Sequence, residues 1–128
     1  MYALPEVNLF AAGSYAELGR VYRLRPGFRH GLLRAVAQLG LGEQSEDSIN
    51  VARRWLEEHK AVDSAVLYRD LVDWASPRRL VDKSPLYVYS KESLCRIRRA
   101  FPSAYFLHLI RHPRSTCESR VSTPSAMR

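Results

Sequence analysis

The chain has 128 residues, 46% hydrophobic and 26% charged, enough for one domain with a real core and short for two. This composition excludes a disordered polymer, and no apolar run approaches the roughly 18–20 residues of a membrane span. Net charge is +7, but it is unevenly placed: residues 1–75 carry 9 basic and 10 acidic side chains (−1), residues 76–128 carry 11 and 3 (+8). A neutral half joined to a basic half implies that the second half meets an anion, without selecting which one.

Met1-Tyr2-Ala3-Leu4-Pro5-Glu6 has neither a basic n-region nor a long apolar stretch, so no secretory leader is expected. Cys95 and Cys117 are too few for a disulfide framework and lack metal-ligand spacing. A cytoplasmic location, no membrane association and no metal are the expectations.

In chain order, the first half reads as helices. After Pro26-Gly27, Leu32, Leu33, Val36 and Leu39 fall on one face, and Gly40 is placed to stop the helix. Ser45 or Ser48 caps a second helix that aligns Ile49, Ala52, Trp55 and Leu56. Asp63 caps a third, with Leu67, Leu71, Trp74 and Ala75 inward, and Ser76-Pro77 ends it. Trp55 and Trp74 lie on these stripes and are assigned to the core. His30 and His59 sit on helical segments and are assigned to the surface.

The second half changes character. Leu80-Val81 predicts a brief strand entering the loop Asp82-Lys83-Ser84-Pro85. Ser90 caps a helix with Leu94, Ile97 and Phe101 inward and Lys91, Arg96, Arg98 and Arg99 mostly outward, a solvated basic face. Tyr105-Phe106-Leu107-His108-Leu109-Ile110 has the length and apolarity of a strand covered on both faces, with His108 a core histidine. It empties into Arg111-His112-Pro113-Arg114-Ser115, and Thr116 to Arg120 can begin another helix. Strand, helix, strand, helix is the order of a parallel α/β sheet. The tail 122–128 is expected to be loosely ordered.

Ligands of open parallel sheets bind beyond the carboxyl ends of strands. Two such ends deliver Lys83-Ser84 and the stretch from Arg111 to Ser119. A guanidinium presents a fixed fork of donors to phosphate oxygens, a hydroxyl adds another, and a helix N-terminus contributes free N–H groups. Taken alone, an arginine at a strand end more often pairs with a neighbouring carboxylate.

The string Leu107-His108-Leu109-Ile110-Arg111-His112-Pro113-Arg114-Ser115-Thr116-Cys117-Glu118-Ser119 resembles the 3'-phosphate-binding element of PAPS-dependent sulfotransferases, in which Ser follows Arg by eight residues. Leu80-Val81-Asp82-Lys83-Ser84-Pro85 resembles the "VDK(S/T)P" stretch of bacterial members, including those embedded in polyketide synthases. Leu4-Pro5-Glu6-Val7-Asn8-Leu9-Phe10 resembles their "PE-x-x-L" segment. The resemblance spans residues 4–121, and it implies a partial P-loop-type three-layer fold with a short parallel sheet and a helical first half. It also implies PAPS as sulfuryl donor, a small-molecule hydroxyl acceptor, Arg111 and Ser119 on the donor 3'-phosphate, and Lys83 near the bridging oxygen. Glu6 corresponds to the family glutamate that serves as base, a role a carboxylate fills when partial burial raises its pKa.

One departure stands out: the "P-R-S-G-T" loop that precedes the Pro-Glu segment in the family and contacts the 5'-phosphosulfate has no counterpart here. Pro113-Arg114-Ser115-Thr116 echoes it but lacks the glycine and carries the later element's spacing. The isolated chain is therefore expected to be inactive. The alternative reading is a non-catalytic basic module that binds nucleotide or nucleic acid. It is disfavoured because no helix-turn-helix, zinc-finger or RNP pattern occurs. A kinase-like nucleotide site is disfavoured by the lack of a Walker loop.

Overall fold

The structure, a computed structural model, describes residues 1–110, 112–114 and 117. It is mostly helical around a two-stranded parallel sheet, consistent with a mixed α/β architecture. Strand β1 (Tyr2–Ala3) pairs with β2 (Leu80–Val81), Tyr2 opposite Leu80 and Ala3 opposite Val81. The ladder continues in bonds from the Tyr2 N–H to the Arg79 carbonyl at 2.8 Å and from the Leu4 N–H to the Val81 carbonyl at 2.9 Å. Parallel strands cannot be joined by a tight turn, and here four helices make the crossover: α1 (Tyr15–Leu24), α2 (Phe28–Val36), α3 (Glu46–Glu58) and α4 (Ser64–Ala75). Helix α5 (Lys91–Ala100) follows β2.

The helix starts follow from local chemistry. Ser45 accepts from the Ser48 N–H and Asp63 from the Ala65 N–H, so both caps stand where the sequence places them. Helix α1 has no counterpart among the predicted elements, although its signal is present. The Ser14 hydroxyl accepts from the Glu17 N–H at 3.3 Å, and the Glu17 carboxylate reaches back to the Gly13 N–H at 2.8 Å. That reciprocal pair marks a helix start.

Gly40 does not stop α2. The chain continues through a π-turn, Ala37–Leu41, and ends at Gly42, whose φ of 82° suits glycine. Gly40 instead lets the Trp74 ring approach to 3.4 Å from where a Cβ would stand. Trp74 meets Trp55 edge-on, ring centroids 5.2 Å apart, both partly buried against the core. His59, read as a surface residue, is partly buried and stacks on Trp55, whereas His30 is exposed as expected.

One apolar cluster gathers Leu4, Val7, Leu9 and Phe10 after β1 with Leu18, Leu32, Leu56, Leu67 and Leu71 from the four helices. Phe10 lies at its centre, its ring 5.0 Å from Tyr68, 5.9 Å from Tyr87 and 6.2 Å from Phe101. Helix α5 packs Ile97 and Phe101 against the core as predicted, but Leu94 is exposed and Ser93 is fully buried in its place. Arg96 turns inward, its Nη1 donating to the Phe10 carbonyl at 3.5 Å.

The largest correction concerns residues 105–110. They form no strand, and all six, His108 included, are exposed. Tyr105 and Leu109 are each 91% accessible. Apolarity alone does not make a strand: the backbone needs a ladder partner, and β1 and β2 form a two-stranded sheet without this segment. Pro113 and Arg114 are helical. The tail 121–128 and most of the helix expected from Thr116 lie outside the described residues.

Candidate functional site

Because β1 and β2 run parallel, their carboxyl ends open on one edge of the sheet. Glu6 leaves one strand there and Lys83 the other, and both are exposed. Their backbones are fixed by a polar knot that joins the two exits.

Asn8 is its first member. It is fully buried in the left-handed region, φ 52° and ψ 21°, a conformation asparagine tolerates better than most residues. Its N–H donates to the Ser84 hydroxyl at 2.8 Å, its Oδ1 accepts from the Leu86 N–H at 3.3 Å, and its Nδ2 donates to the Glu6 carbonyl at 3.3 Å. One side chain thus ties the β1 exit to the β2 exit.

Asp82 is the second member. Its Oδ1 accepts from the Ser84 N–H at 2.9 Å and the Ser84 hydroxyl at 2.6 Å, and its Oδ2 accepts from the Tyr87 phenol at 2.9 Å. Burial pushes the Asp82 carboxyl up from its ordinary range, and these donors oppose the rise. Burial and the Asp82 charge in turn hold the phenols of Tyr87 and Tyr68 protonated. The Asp-x-Ser-Pro part of the motif is therefore architectural. Both carboxylate oxygens are occupied inward, and Lys83 makes no ion pair with Asp82 or with any other described residue.

Gly31 is the third member, contributed by α2. A Cβ there would stand 2.1 Å from the Glu6 carbonyl oxygen and 2.7 Å from its carbon, so the helix backbone lies directly against the Glu6 peptide. Glu6 itself is exposed, so the described residues do not supply the partial burial that the base role calls for.

Among the four residues singled out from sequence, the structure brings Glu6 and Lys83 to one edge, and Arg111 and Ser119 lie outside the described residues. Sequence reasoning missed Asn8, Tyr87 and Gly31 as the frame of this edge. The "DKSP" string marked Ser84, but its partner Asn8 is 76 positions away, with no local signal connecting them. Among the described residues no group of three His, Cys, Asp or Glu side chains is arranged to hold a metal, and no helix is long and apolar enough to cross a membrane.

The edge thus presents a cation with no ion-pair partner among the described residues, beside a carboxylate whose oxygens accept hydrogen bonds from Ser84 and Tyr87, which suits an anionic ligand. A model described as the sulfotransferase family matches residues 7–127, a span that includes Lys83, Arg111 and Ser119 and starts one residue after Glu6. No curated protein and no solved structure matches the chain. The family match covers nearly the whole chain and agrees with the strand-exit geometry: the chain belongs to the sulfotransferase family.

Proposed function

We propose that the chain carries the donor-binding side of a P-loop-type sulfotransferase that moves a sulfuryl group from PAPS to the hydroxyl of a small molecule. The acceptor oxygen attacks sulfur in line, an O–S bond forms, and the S–O bond to the nucleotide phosphate breaks, releasing 3'-phosphoadenosine 5'-phosphate. The protein's task in such a transfer is positioning and charge neutralisation. Lys83 neutralises charge on the bridging oxygen, and Glu6, exposed at the same edge, receives the acceptor proton once the bound acceptor covers it. Arg111 and Ser119 grip the 3'-phosphate and fix the donor's register.

The observation that supports this reading is the common edge on which β1 and β2 release Glu6 and Lys83, with the Asn8–Ser84–Asp82 knot setting their spacing. A salt bridge between Lys83 and Asp82 would have argued against it, and Asp82 is bonded elsewhere.

The test is calorimetric titration of 3'-phosphoadenosine 5'-phosphate against adenosine 5'-phosphate, which lacks the 3'-phosphate. Preference for the former by about tenfold or more, lost in Arg111→Ala, is expected from a charge-assisted arginine–phosphate contact. Equal, weak binding of both nucleotides would instead favour a generic basic surface and the nucleic-acid-binding alternative.

A further inference from the structure

A second cleft lies away from the strand exits, walled by α1, α2 and α3, with a volume of about 590 Å³, within the usual range of small-molecule sites. Helix α2 separates the two places: Gly31 faces the Glu6 peptide, while Arg29 and Leu33 line the cleft. Three cations at its rim, Arg23, Arg53 and Lys60, have no carboxylate within ion-pair distance among the described residues. The one lining carboxylate, Glu57, is engaged by Arg29 at 3.4 Å.

The wall is aromatic and carries donors. Tyr15 and Tyr22 stand with ring centroids 6.1 Å apart. Tyr22 is 7% exposed, and its hydroxyl is shielded from solvent without a hydrogen-bond partner. This hydroxyl is closed to the cleft as well as to water, so Tyr22 offers the cleft its ring. The Tyr15 oxygen accepts from Arg29 Nε at 3.0 Å, which leaves its own hydrogen to donate. Gly19 of α1 lines the same space, and a Cβ there would meet nothing within 4 Å.

We propose that this cleft binds a small organic anion, an apolar or aromatic body ending in a phosphate-like group. The body lies against the Tyr15 and Tyr22 rings beside Gly19, and the anion sits at Arg23, Arg53 and Lys60 with the Tyr15 hydroxyl completing its shell. This site is independent of the sulfuryl-transfer reading.

The experiment titrates the full chain with phenyl phosphate, inorganic phosphate and phenol by calorimetry at two salt concentrations. Phenyl phosphate is expected to bind about tenfold tighter than either half alone and to weaken with salt. Arg53→Glu lowers that affinity about tenfold or more, and Arg23→Glu, on the exposed side of α1, does the same should Arg53→Glu unfold. Gly19→Leu fills the cleft and abolishes binding while leaving the helical circular-dichroism signal unchanged. Equal affinity for phenyl phosphate and inorganic phosphate, or full phenyl phosphate affinity in Gly19→Leu, would overturn the proposal, as would the absence of saturable binding. None of these readouts uses a sulfuryl donor, so this proposal and the transfer reaction can fail separately.

Discussion

Two apolar stretches of similar character have opposite fates in this chain. Leu4, Val7, Leu9 and Phe10 are buried, whereas Tyr105, Leu107, Leu109 and Ile110 stand exposed. The difference is not hydrophobicity but what is provided for the backbone. The first stretch continues from a paired strand, receives a hydrogen bond from the Asn8 side chain on the Glu6 carbonyl and lies under Gly31 of α2. The second has no ladder partner among the described residues. An apolar segment is held inside when its peptide groups are satisfied there, because an unpaired buried N–H or C=O offsets much of what burial gains.

Breaking the first region should have the largest effect. Gly31→Ala places a Cβ 2.1 Å from the Glu6 carbonyl oxygen. The gain in helix propensity is about 1 kcal/mol, but overpacking against a fixed backbone costs more, so a net loss of about 2 kcal/mol is expected in urea unfolding. Unchanged stability would mean that α2 does not clasp the Glu6 peptide.

Asn8 comes next. Asn8→Ala removes the side-chain bonds to Leu86 and Glu6 and leaves a β-carbon at positive φ, for an expected loss of about 2 kcal/mol. Asn8→Gly keeps the backbone conformation at ease and should lose less. If the two variants unfold alike, the hydrogen bonds and not the conformation are what matter.

Asp82 sharpens the same comparison through pH. Burial raises its folded-state pKa above the ordinary 3.8, so the folded chain holds this proton more tightly than the unfolded one. Its contribution to stability is fully present below the unfolded pKa and is lost as pH rises through the folded value. The difference in unfolding free energy between wild type and Asp82→Asn should therefore shift against wild type as pH rises from 4 to 7, with other carboxylates cancelling. A difference independent of pH would contradict a raised Asp82.

The smallest effect belongs to the second region. Leu107→Lys alters a side chain that is 86% exposed and should change stability by no more than about 0.5 kcal/mol. A large loss would reveal burial of this segment in solution.

How much was legible in the sequence depends on how local the cause is. The caps at Ser45 and Asp63, the end of α4 at Ser76 and the short strand at Leu80-Val81 were all readable, since each rests on neighbouring residues. Helix α1 was equally readable from Ser14 and Glu17 and was missed because its apolar stripe is thin. Gly40 misled because its lack of a side chain serves the Trp74 ring, a tertiary fact. Leu94 misled because α5 turns Ser93 inward. The strand predicted at 105–110 failed because a strand's existence depends on a partner that periodicity cannot supply. At the candidate site, Glu6 and Lys83 were visible through family strings, while the atoms that hold them lie in pairs 76 and 78 positions apart.

The tie between Asn8 and Ser84 also bears on the order in which this chain acquires its shape as it leaves the ribosome. Tyr2–Ala3 is made before its ladder partner at Leu80–Val81, which emerges about 78 residues later, and closing so long a loop is entropically slow. The four intervening helices must therefore organise while Tyr2–Ala3 is still unpaired, and that strand docks among the last elements. Quenched-flow hydrogen exchange should then find the Leu4 amide protected after those of α3 and α4.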